Sequence, residues 1–340
     1  MKDKLIYFLE LTGFTWFIPL VKLAYGESPG HQLNTLAKMV GVPIIAIVIF
    51  LMLWHVGASK IVTSLGQVPG PIEVWEQVHV LIAEHDQERE REQAFIERQQ
   101  TRNAARLEKD PEAQVVIRAY TGKETFFDQI LTSLGTVFVG FLLASVIAIP
   151  IGIIAGLSDT LYSAINPLIQ IFKPVSPLAW LPIVTMVVSA VYLSEDPMFA
   201  KSFITSAITV MLCSLWPTLI NTAVGVSSID KDLINVGRVL RLNYFTTVYK
   251  IVIPASIPMI FTGLRISLGI GWMVLIAAEM LAQNPGLGKF VWDEFQNGSS
   301  SSLSRIMVAV LTIGIIGFIL DRITLTFQKV FTYDKNAIIR

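Results

Sequence analysis

The sequence has a single cysteine, Cys213, and only four histidines in 340 residues. A lone cysteine has no intrachain disulfide partner and the histidines lack the spacing of metal ligands, so no redox or metal centre is expected. Charged residues are scarce, at 15% of the chain, and their charges cancel, which gives no reason to expect a nucleic-acid partner. The sequence also lacks a GxxxxGK[ST] phosphate loop and a plausible catalytic triad. The chain is therefore not expected to be an enzyme by itself or to hold a cofactor.

Apolar residues, by contrast, make up 53% of the chain. This share is too high for a soluble domain whose surface must be hydrated. A helix of roughly 20 apolar residues spans a bilayer because it pairs its backbone polar groups internally. The sequence therefore predicts an all-α integral membrane protein with about six transmembrane helices. The qualifying stretches are residues 37–57, 132–157, 176–193, 203–225, 257–281 and 305–328.

The remaining segments give the predicted domain organisation. Residues 1–36 form a cytoplasmic or interfacial segment, in which 5–24 is interpreted as an interfacial helix, with a further span as the alternative. A polar insertion at 58–130 follows the first span, and its mixed charges at 84–110 predict a solvated helix, with docking of a soluble partner as the alternative. Residues 131–330 hold five spans and a connecting loop at 226–257. Residues 331–340 form a tail.

The orientation is predicted from the short loops, because positively charged residues are retained on the cytoplasmic side. With the N-terminus inside, the cytoplasmic segments hold 11 of the 26 Lys and Arg, among them Arg238, Arg241 and Lys250. The opposite short loops hold essentially Lys201 and Lys289. This bias predicts a multi-pass protein of the cytoplasmic (inner) membrane with both termini inside. Counting spans then places the 58–130 insertion outside.

Two spans carry a small residue at about every fourth position, which makes one helix face smooth enough for close contact with another helix. The pattern predicts packing, within the subunit or across a dimer, and no chemistry. The residues are Gly140, Ala144, Ala148, Gly152 and Gly156 in one span, and Gly263, Ser267 and Gly271 in another.

The loop at 234–260 reads INVGRVLRLNYFTTVYKIVIPASIPMI, a pattern typical of a surface helix that leads into a membrane helix. Its apolar residues recur at helical spacing, and the helix is expected to end before Pro254. An exposed amphipathic helix between two spans can transmit a conformational change of a soluble partner to the bundle. A helix that lies on lipid head groups is the alternative.

This loop resembles the EAA loop of ABC-importer permeases, whose pattern is Glu-Ala-Ala, three residues, Gly, nine residues, then Ile-x-Leu-Pro. Asn235, Val236 and Gly237 stand at the first three positions and Arg241 stands at the Gly position, while Ile251, Ile253 and Pro254 close the motif at the same spacing. Asn replaces the family's Glu and Arg replaces its Gly. The resemblance implies that an ATPase is coupled through Asn235, Gly237, Arg238, Arg241, Leu242 and Pro254.

Residues from about 132 to 331 resemble the nitrate, bicarbonate and sulfonate branch of these permeases. FKPVSPLAWLPI at 172–183 and GLRISLGIGWMVLIAAEMLAQNPGLGKFVWDEFQNGSS at 263–300 look most like nitrate permeases. The resemblance implies a type I ABC-importer permease bundle with a cytoplasmic coupling helix. It also implies several partners: a second permease copy, cytosolic ATPase subunits that bind ATP and magnesium, a periplasmic or lipid-anchored substrate-binding protein, and membrane lipid.

The cargo implied by the resemblance is a small inorganic anion, with nitrate as the first choice and nitrite or cyanate beside it. Bicarbonate and a sulfonate such as taurine are the alternatives within the same class. An ion-gradient-driven secondary anion transporter is the alternative from another class, and a membrane scaffold without transport is a third.

Ionisable residues at membrane depth are costly, so each is a functional candidate. Arg265, Trp272 and Glu279 are spaced by seven, which keeps them on one side of a helix. Arg265 is predicted to line the pathway because a guanidinium matches a planar oxyanion, with a shallow, structurally paired arginine as the alternative. Glu279 would repel an anion, so a structural or gating role is expected for it.

Three prolines in FKPVSPLAWLPI break the helix around Lys173 and leave Trp180 a short distance along the chain. Broken helices at membrane depth line cavities or are buried in protein. Lys173 and Trp180 are therefore further candidates for the pathway. The alternative for Lys173 is a lysine that faces lipid head groups. Trp216 and Trp272 are predicted to form either a narrow apolar constriction or plain packing.

Overall fold

The computed structural model describes residues 2–13, 15–63, 66–110, 114–193, 198–299 and 301–331, so the predicted tail lies outside the described residues after Phe331. Within these ranges the fold is helical apart from β1 (Val62–Thr63), which pairs antiparallel with β2 (Gly66–Gln67). The all-α prediction is confirmed. The helices are α1 Lys2–Thr12, α2 Ile18–Ala24, α3 Pro29–Leu36, α4 Val42–Ala58, α5 Pro71–Lys109, α6 Phe126–Gly156, α7 Asp159–Phe172, α8 Pro177–Val191, α9 Lys201–Ser227, α10 Lys231–Val239, α11 Tyr244–Thr247, α12 Ile253–Ala282, α13 Leu287–Asn297 and α14 Ser302–Phe331.

The protein has several helices long and apolar enough to cross a membrane. Among the described residues five qualify by length and composition, and a sixth span results if the bent pair α7 and α8 is counted as one. The five are Pro29–Ala58, Phe126–Gly156, Lys201–Ser227, Tyr244–Ala282 and Ser302–Phe331. The stretch predicted at 176–193 is the second arm of the bent pair, whose two helices meet at 99°. We call this bend, at residues 172–177, the elbow.

The N-terminal stretch at 5–24 is two short helices instead of one. The chain turns at Gly13, whose φ of 78° is favourable for glycine alone among common residues. Neither α1, with 11 residues, nor α2, with 7, has the roughly 20 residues that a span requires.

Helix α9 lies at the centre of the bundle, and the small residues of α6 lie directly against it. A Cβ atom added at Gly140 would lie 2.6 Å from the carbonyl oxygen of Ala207, and one added at Gly156 would lie 2.5 Å from that of Ala223. These distances are shorter than any real Cβ contact, so the two backbones approach closely only because glycine is present. The stripe of α6 therefore packs within the subunit.

The small-residue stripe of α12 contacts α9 as well. A Cβ atom on Gly263 would lie 3.0 Å from the Cα atom of Thr218. Ser267 accepts a hydrogen bond from the Thr218 hydroxyl at 2.7 Å and donates one to the carbonyl oxygen of Ser214. Helices α6 and α12 thus hold α9 between two smooth faces.

The charged insertion contains α5, a helix of 39 residues. Its first half packs on the bundle through the buried side chains of Val74 and Leu81. Arg305 on α14 forms ion pairs with Glu84 on α5 and, at 2.9 Å, with Glu294 on α13. The insertion is therefore attached to the helices that follow it and is not a separate body.

The chain after α5 returns along the same helix. The backbone N–H of Arg118 donates to the side chain of Gln99 at 2.8 Å, and the Gln99 amide donates back to the Arg118 carbonyl at 2.9 Å. Further along, the Tyr120 hydroxyl donates to Glu88 at 2.8 Å, which holds the pKa of the Glu88 carboxyl below its ordinary value. Thr125 and Asp128 then form a capping box that begins α6.

Candidate functional site

The EAA-like loop, residues 226–257, contains α10, a short helix on the surface of the bundle. The Asp230 side chain caps its first turn by accepting a hydrogen bond from the backbone N–H of Asp232 at 2.9 Å. The apolar residues of α10 and of the chain after it face outward. Val239 is 82% exposed and Phe245 is 81% exposed, and Leu233, Val236, Leu240, Tyr244 and Tyr249 are also exposed. A contiguous apolar surface of this kind marks an interaction site.

Helix α10 ends in a Schellman motif at Arg241. The backbone N–H of Leu242 donates to the Gly237 carbonyl and that of Arg241 donates to the Arg238 carbonyl, both at 3.0 Å. Arg241 is the left-handed residue of this turn, with φ at 49°. The EAA pattern has glycine at this position, where a left-handed backbone is needed, so Arg241 occupies it at a steric cost.

The predicted coupling residues differ in what surrounds them. Asn235, Arg238 and Arg241 are exposed, whereas Leu242 is half-buried. Gly237 is buried, and a Cβ atom there would lie 3.0 Å from the Cδ1 atom of Ile251. Gly237 thus lets α10 lie close to the helix that follows it.

The prediction that a helix ends before Pro254 is wrong. The helix from Tyr244 to Ala282 is continuous through Pro254. Residues Val248–Val252 form a wider π-helical turn directly before the proline. A π turn changes the hydrogen-bond register, so the missing N–H and the bulk of the proline ring are accommodated without a break.

Arg265 lies against the last helix. It forms an ion pair with Asp321 of α14, with a distance of 3.0 Å between Nη2 and Oδ2. Asp321 was missed by sequence reasoning, although the rule that selected Arg265 applies equally to a carboxylate within the span at 305–328. The structurally paired alternative for Arg265 therefore has an observed partner, and the pathway role stays a prediction.

Trp272 also faces α14. Its indole N–H donates to the carbonyl oxygen of Ile313 at 2.9 Å, and the side chain is buried. A Cβ atom at Gly317 would lie 3.1 Å from its ring, so the glycine makes room for the tryptophan. This environment is that of a packed side chain.

Glu279 is completely buried at the far end of α12 from the EAA-like loop. The Ser133 hydroxyl of α6 lies 2.9 Å from Oε1 and 2.8 Å from Oε2, and the backbone N–H of Gly288 donates to Oε2 at 3.0 Å. Ser133 also accepts the backbone N–H of Leu287 at 2.9 Å. Glu279 and Ser133 together fix the chain between α12 and α13, and the structural or gating role expected for Glu279 stays a prediction.

Lys173 lies within the elbow, and Trp180 lies in the first turn of α8 directly after it. Lys173 is exposed and Trp180 is half-buried. The ring of Phe172 lies 5.8 Å from that of Trp180 and 6.1 Å from that of Trp216, between centroids. The pathway candidates therefore form two separate groups, and Trp216 joins the elbow instead of pairing with Trp272.

The model of the family described as "Binding-protein-dependent transport system inner membrane component" matches residues 148–331. The nitrate import permease protein NrtB of Synechocystis sp. is 34% identical over 280 residues, which are 82% of this chain and 85% of that protein. The bicarbonate transport system permease protein CmpB of Synechococcus elongatus is 32% identical over 310 residues, 89% of this chain and 94% of that protein.

Among solved structures, a chain of the MetNI methionine ABC transporter in an inward-facing conformation superposes with a TM-score of 0.51 at 14% identity. The match covers 61% of this chain and 96% of that one, and it shows the fold. The resemblance drawn from the EAA-like loop is thereby confirmed. The chain belongs to the binding-protein-dependent transport system inner membrane component family, and its fold is that of a type I ABC-importer permease.

Proposed function

We propose that this permease imports a small planar oxyanion, nitrate first, with energy from ATP hydrolysed in cytosolic partner subunits. Two copies of the chain form the pathway, a periplasmic or lipid-anchored binding protein delivers the anion, and ATP and magnesium bind only to the ATPase partners. Both termini and the EAA-like loop then face the cytoplasm of a cell whose inner membrane holds the complex.

The observation that carries this proposal is the exposed surface of the EAA-like loop. Val236, Val239 and Phe245 present apolar side chains to solvent, and the exposed Arg238 and Arg241 lie beside them. An apolar patch rimmed by charge is suited to a groove on another protein, and burial of those side chains supplies the affinity. Asn235 and Leu242 lie in the same segment, and the continuous helix behind it leads directly into the bundle.

The choice of anion is supported by the names of the relatives and by chemistry. The two relatives described above carry nitrate and bicarbonate in their names. Both ions are planar monoanions with three oxygens, so one pathway chemistry serves either. Bicarbonate is therefore the second candidate, and it is supported by the longer match of 310 residues.

Uptake by the complete complex tests this proposal. The permease, its ATPase and its binding protein are reconstituted in liposomes, and uptake of labelled nitrate is measured with and without ATP. We expect ATP-dependent uptake that excess nitrate suppresses more strongly than bicarbonate, cyanate or taurine. Suppression mainly by bicarbonate or by taurine would assign the cargo to that anion instead.

Two outcomes would overturn the transport class itself. Uptake that continues without ATP or without the ATPase subunit would identify a transporter driven by an ion gradient. Flux that stays unchanged when both Lys173→Ala and Arg265→Ala are introduced would count against a pathway through this chain and favour a scaffold.

A further inference from the structure

Three aromatic rings meet at the elbow between α7 and α8. Phe172, the last residue of α7, stacks on Trp216 of α9 with an angle of 8° between the ring planes. The same ring lies against Trp180 of α8 at an angle of 32°. Phe172 therefore packs against an indole on α8 and an indole on α9.

The indole N–H groups of Trp180 and Trp216 are both buried and have no hydrogen-bond partner among the described residues. Two other tryptophans differ: Trp54 donates to the carbonyl oxygen of Pro69 at 3.2 Å and Trp272 donates to that of Ile313. Buried donors without a partner are rare and unfavourable, so two of them beside one phenylalanine call for an explanation.

The charge at the elbow is positive. Lys173 follows Phe172 directly, is exposed and forms no ion pair within the described part of the chain. It is the only charged residue from 172 to 193. Lys173 therefore adds positive charge at the end of α7, and N–H donors without a partner bind a ligand that accepts hydrogen bonds and carries negative charge.

We propose that the indole N–H groups of Trp180 and Trp216 bind the transported oxyanion, and that Phe172 covers this site in the present conformation. This inference rests on the proposed function and deepens it by naming the donors that contact the anion. An anion that approaches the edges of the indoles can accept both N–H groups, and donors in apolar surroundings bind it more strongly than donors in water. Motion of α7 relative to α8 at the 99° elbow uncovers the donors.

Removal of the N–H groups alone is the sharpest test. In the reconstituted complex, Trp180 or Trp216 is replaced by 3-benzothienylalanine, which keeps the two fused rings and has sulfur in place of the N–H. We expect uptake at nitrate concentrations well below saturation to fall at least about tenfold for each replacement, because a hydrogen bond to the anion is lost and its affinity decreases. The melting temperature should stay the same or rise, because no partner of either N–H is lost in the folded protein. The same replacement at the exposed Trp75 of α5 is the matched control and should change neither.

Binding is observed directly by ¹⁹F NMR of the complex labelled with 5-fluorotryptophan. Signals of Trp180 and Trp216, assigned through their Trp→Phe variants, should shift with nitrate and not with the same concentration of chloride, while the Trp75 signal stays in place. In Phe172→Ala, which removes the cover, the shifts should occur at a lower nitrate concentration.

The outcomes separate this inference from the proposed function. If the complex imports nitrate while the two signals do not move and the benzothienylalanine replacements leave uptake unchanged, the inference is overturned and the proposed function stands. Equal shifts with chloride also overturn it. So does a fall in melting temperature that by itself accounts for the loss of uptake. If the unmodified complex imports no oxyanion, the proposed function itself is wrong.

Discussion

Arg265 of α12 and Asp321 of α14 form a bidentate ion pair within the membrane-spanning part of the bundle. Both Nε and Nη2 of Arg265 contact the carboxylate, and the side chains remain 27% and 33% exposed. The pair can serve to join two helices, to present positive charge to an anion, or both. These roles predict different behaviour of two variants.

Arg265→Leu should lower both stability and transport, because it leaves the Asp321 carboxylate with only the longer contact to Arg322, at 3.4 Å. We expect the free energy of unfolding to fall by an intermediate amount. Exposed ion pairs contribute roughly 0–1 kcal/mol, and breaking a fully buried pair costs roughly 3–5 kcal/mol. Adding Asp321→Asn removes this poorly compensated charge and should restore most of the melting temperature measured in detergent. Transport that stays low in this double variant would place Arg265 in the pathway, whereas full recovery of uptake would leave it a structural role only.

Reversal of charge at Arg238 and Arg241 should abolish binding of the ATPase without disturbing membrane insertion. The two side chains are exposed beside the apolar surface of α10, so glutamates there would repel the acidic groups that a matching groove presents. Co-purification of the ATPase with Arg238→Glu plus Arg241→Glu checks this. Arg102→Glu plus Arg106→Glu on the exposed end of α5 is the matched control and should leave the complex intact. Retained binding in the loop variant would contradict the coupling role.

Arg241→Gly separates the shape of the loop from its charge. Because Arg241 has a left-handed backbone, glycine should stabilise this turn by about 1 kcal/mol. Thermal unfolding of the complex and hydrogen exchange of the amides of α10 measure the gain. Arg241→Ala removes the same charge but keeps the strain, so it is the control. If the amides of α10 exchange as fast in Arg241→Gly as in Arg241→Ala, the left-handed backbone at residue 241 is not strained.

Ser133→Ala should destabilise the end of the bundle near α13 by about 1–3 kcal/mol, since a buried carboxylate loses a donor and the Leu287 N–H loses an acceptor. Ser145→Ala on the same helix is the control, because its hydroxyl only bonds the Phe141 carbonyl one turn back. Its expected loss is below about 1 kcal/mol. Equal melting temperatures for the two variants would show that the Ser133 and Glu279 contact does not hold this region.

The contact between Glu88 and Tyr120 should make the packing of residues 114–125 on α5 depend on pH. The hydrogen bond from Tyr120 lowers the pKa of Glu88 below its ordinary 4.5, so the stabilisation is present above 4.5 and is lost as the pH falls through the lowered value. Hydrogen exchange of these amides, corrected for the intrinsic rate, should increase in that window. Tyr120→Phe should weaken the dependence without removing it, because the Lys123 N–H and Arg91 also contact the Glu88 carboxylate. An unchanged profile in that variant would refute the assignment.

The apolar runs predicted most of the architecture, because few backbone structures can pair all their polar groups within lipid. Any stretch such as 203–225 must be helical at membrane depth, and its actual bounds, Lys201–Ser227, differ by a few residues only. The glycine stripe of α6 likewise indicated close packing. Its partner, α9, was not predictable, because a smooth face accepts any helix and the pattern carries no information about which one.

The sites were harder to predict because they depend on pairs of residues distant in sequence. Arg265 was selected from its own chemistry, but its partner Asp321 lies 56 positions further on. Pro254 was assigned a helix end from a local rule, and the π turn before it overrode that rule. Phe172 was not selected as a site residue, because an apolar residue in a membrane helix is ordinary until its neighbours are known.

The uninterrupted helix Tyr244–Ala282 has a mechanical consequence. Its 39 residues make a rod about 58 Å long, so a tilt of about 5° around its middle displaces each tip by about 2.5 Å in opposite directions. A small displacement of Phe245 would therefore reappear, reversed, at the buried carboxylate of Glu279. The π turn at Val248–Val252 and Pro254 lie between the two residues, so the stiffness of the helix at this point sets how much of the displacement reaches Glu279.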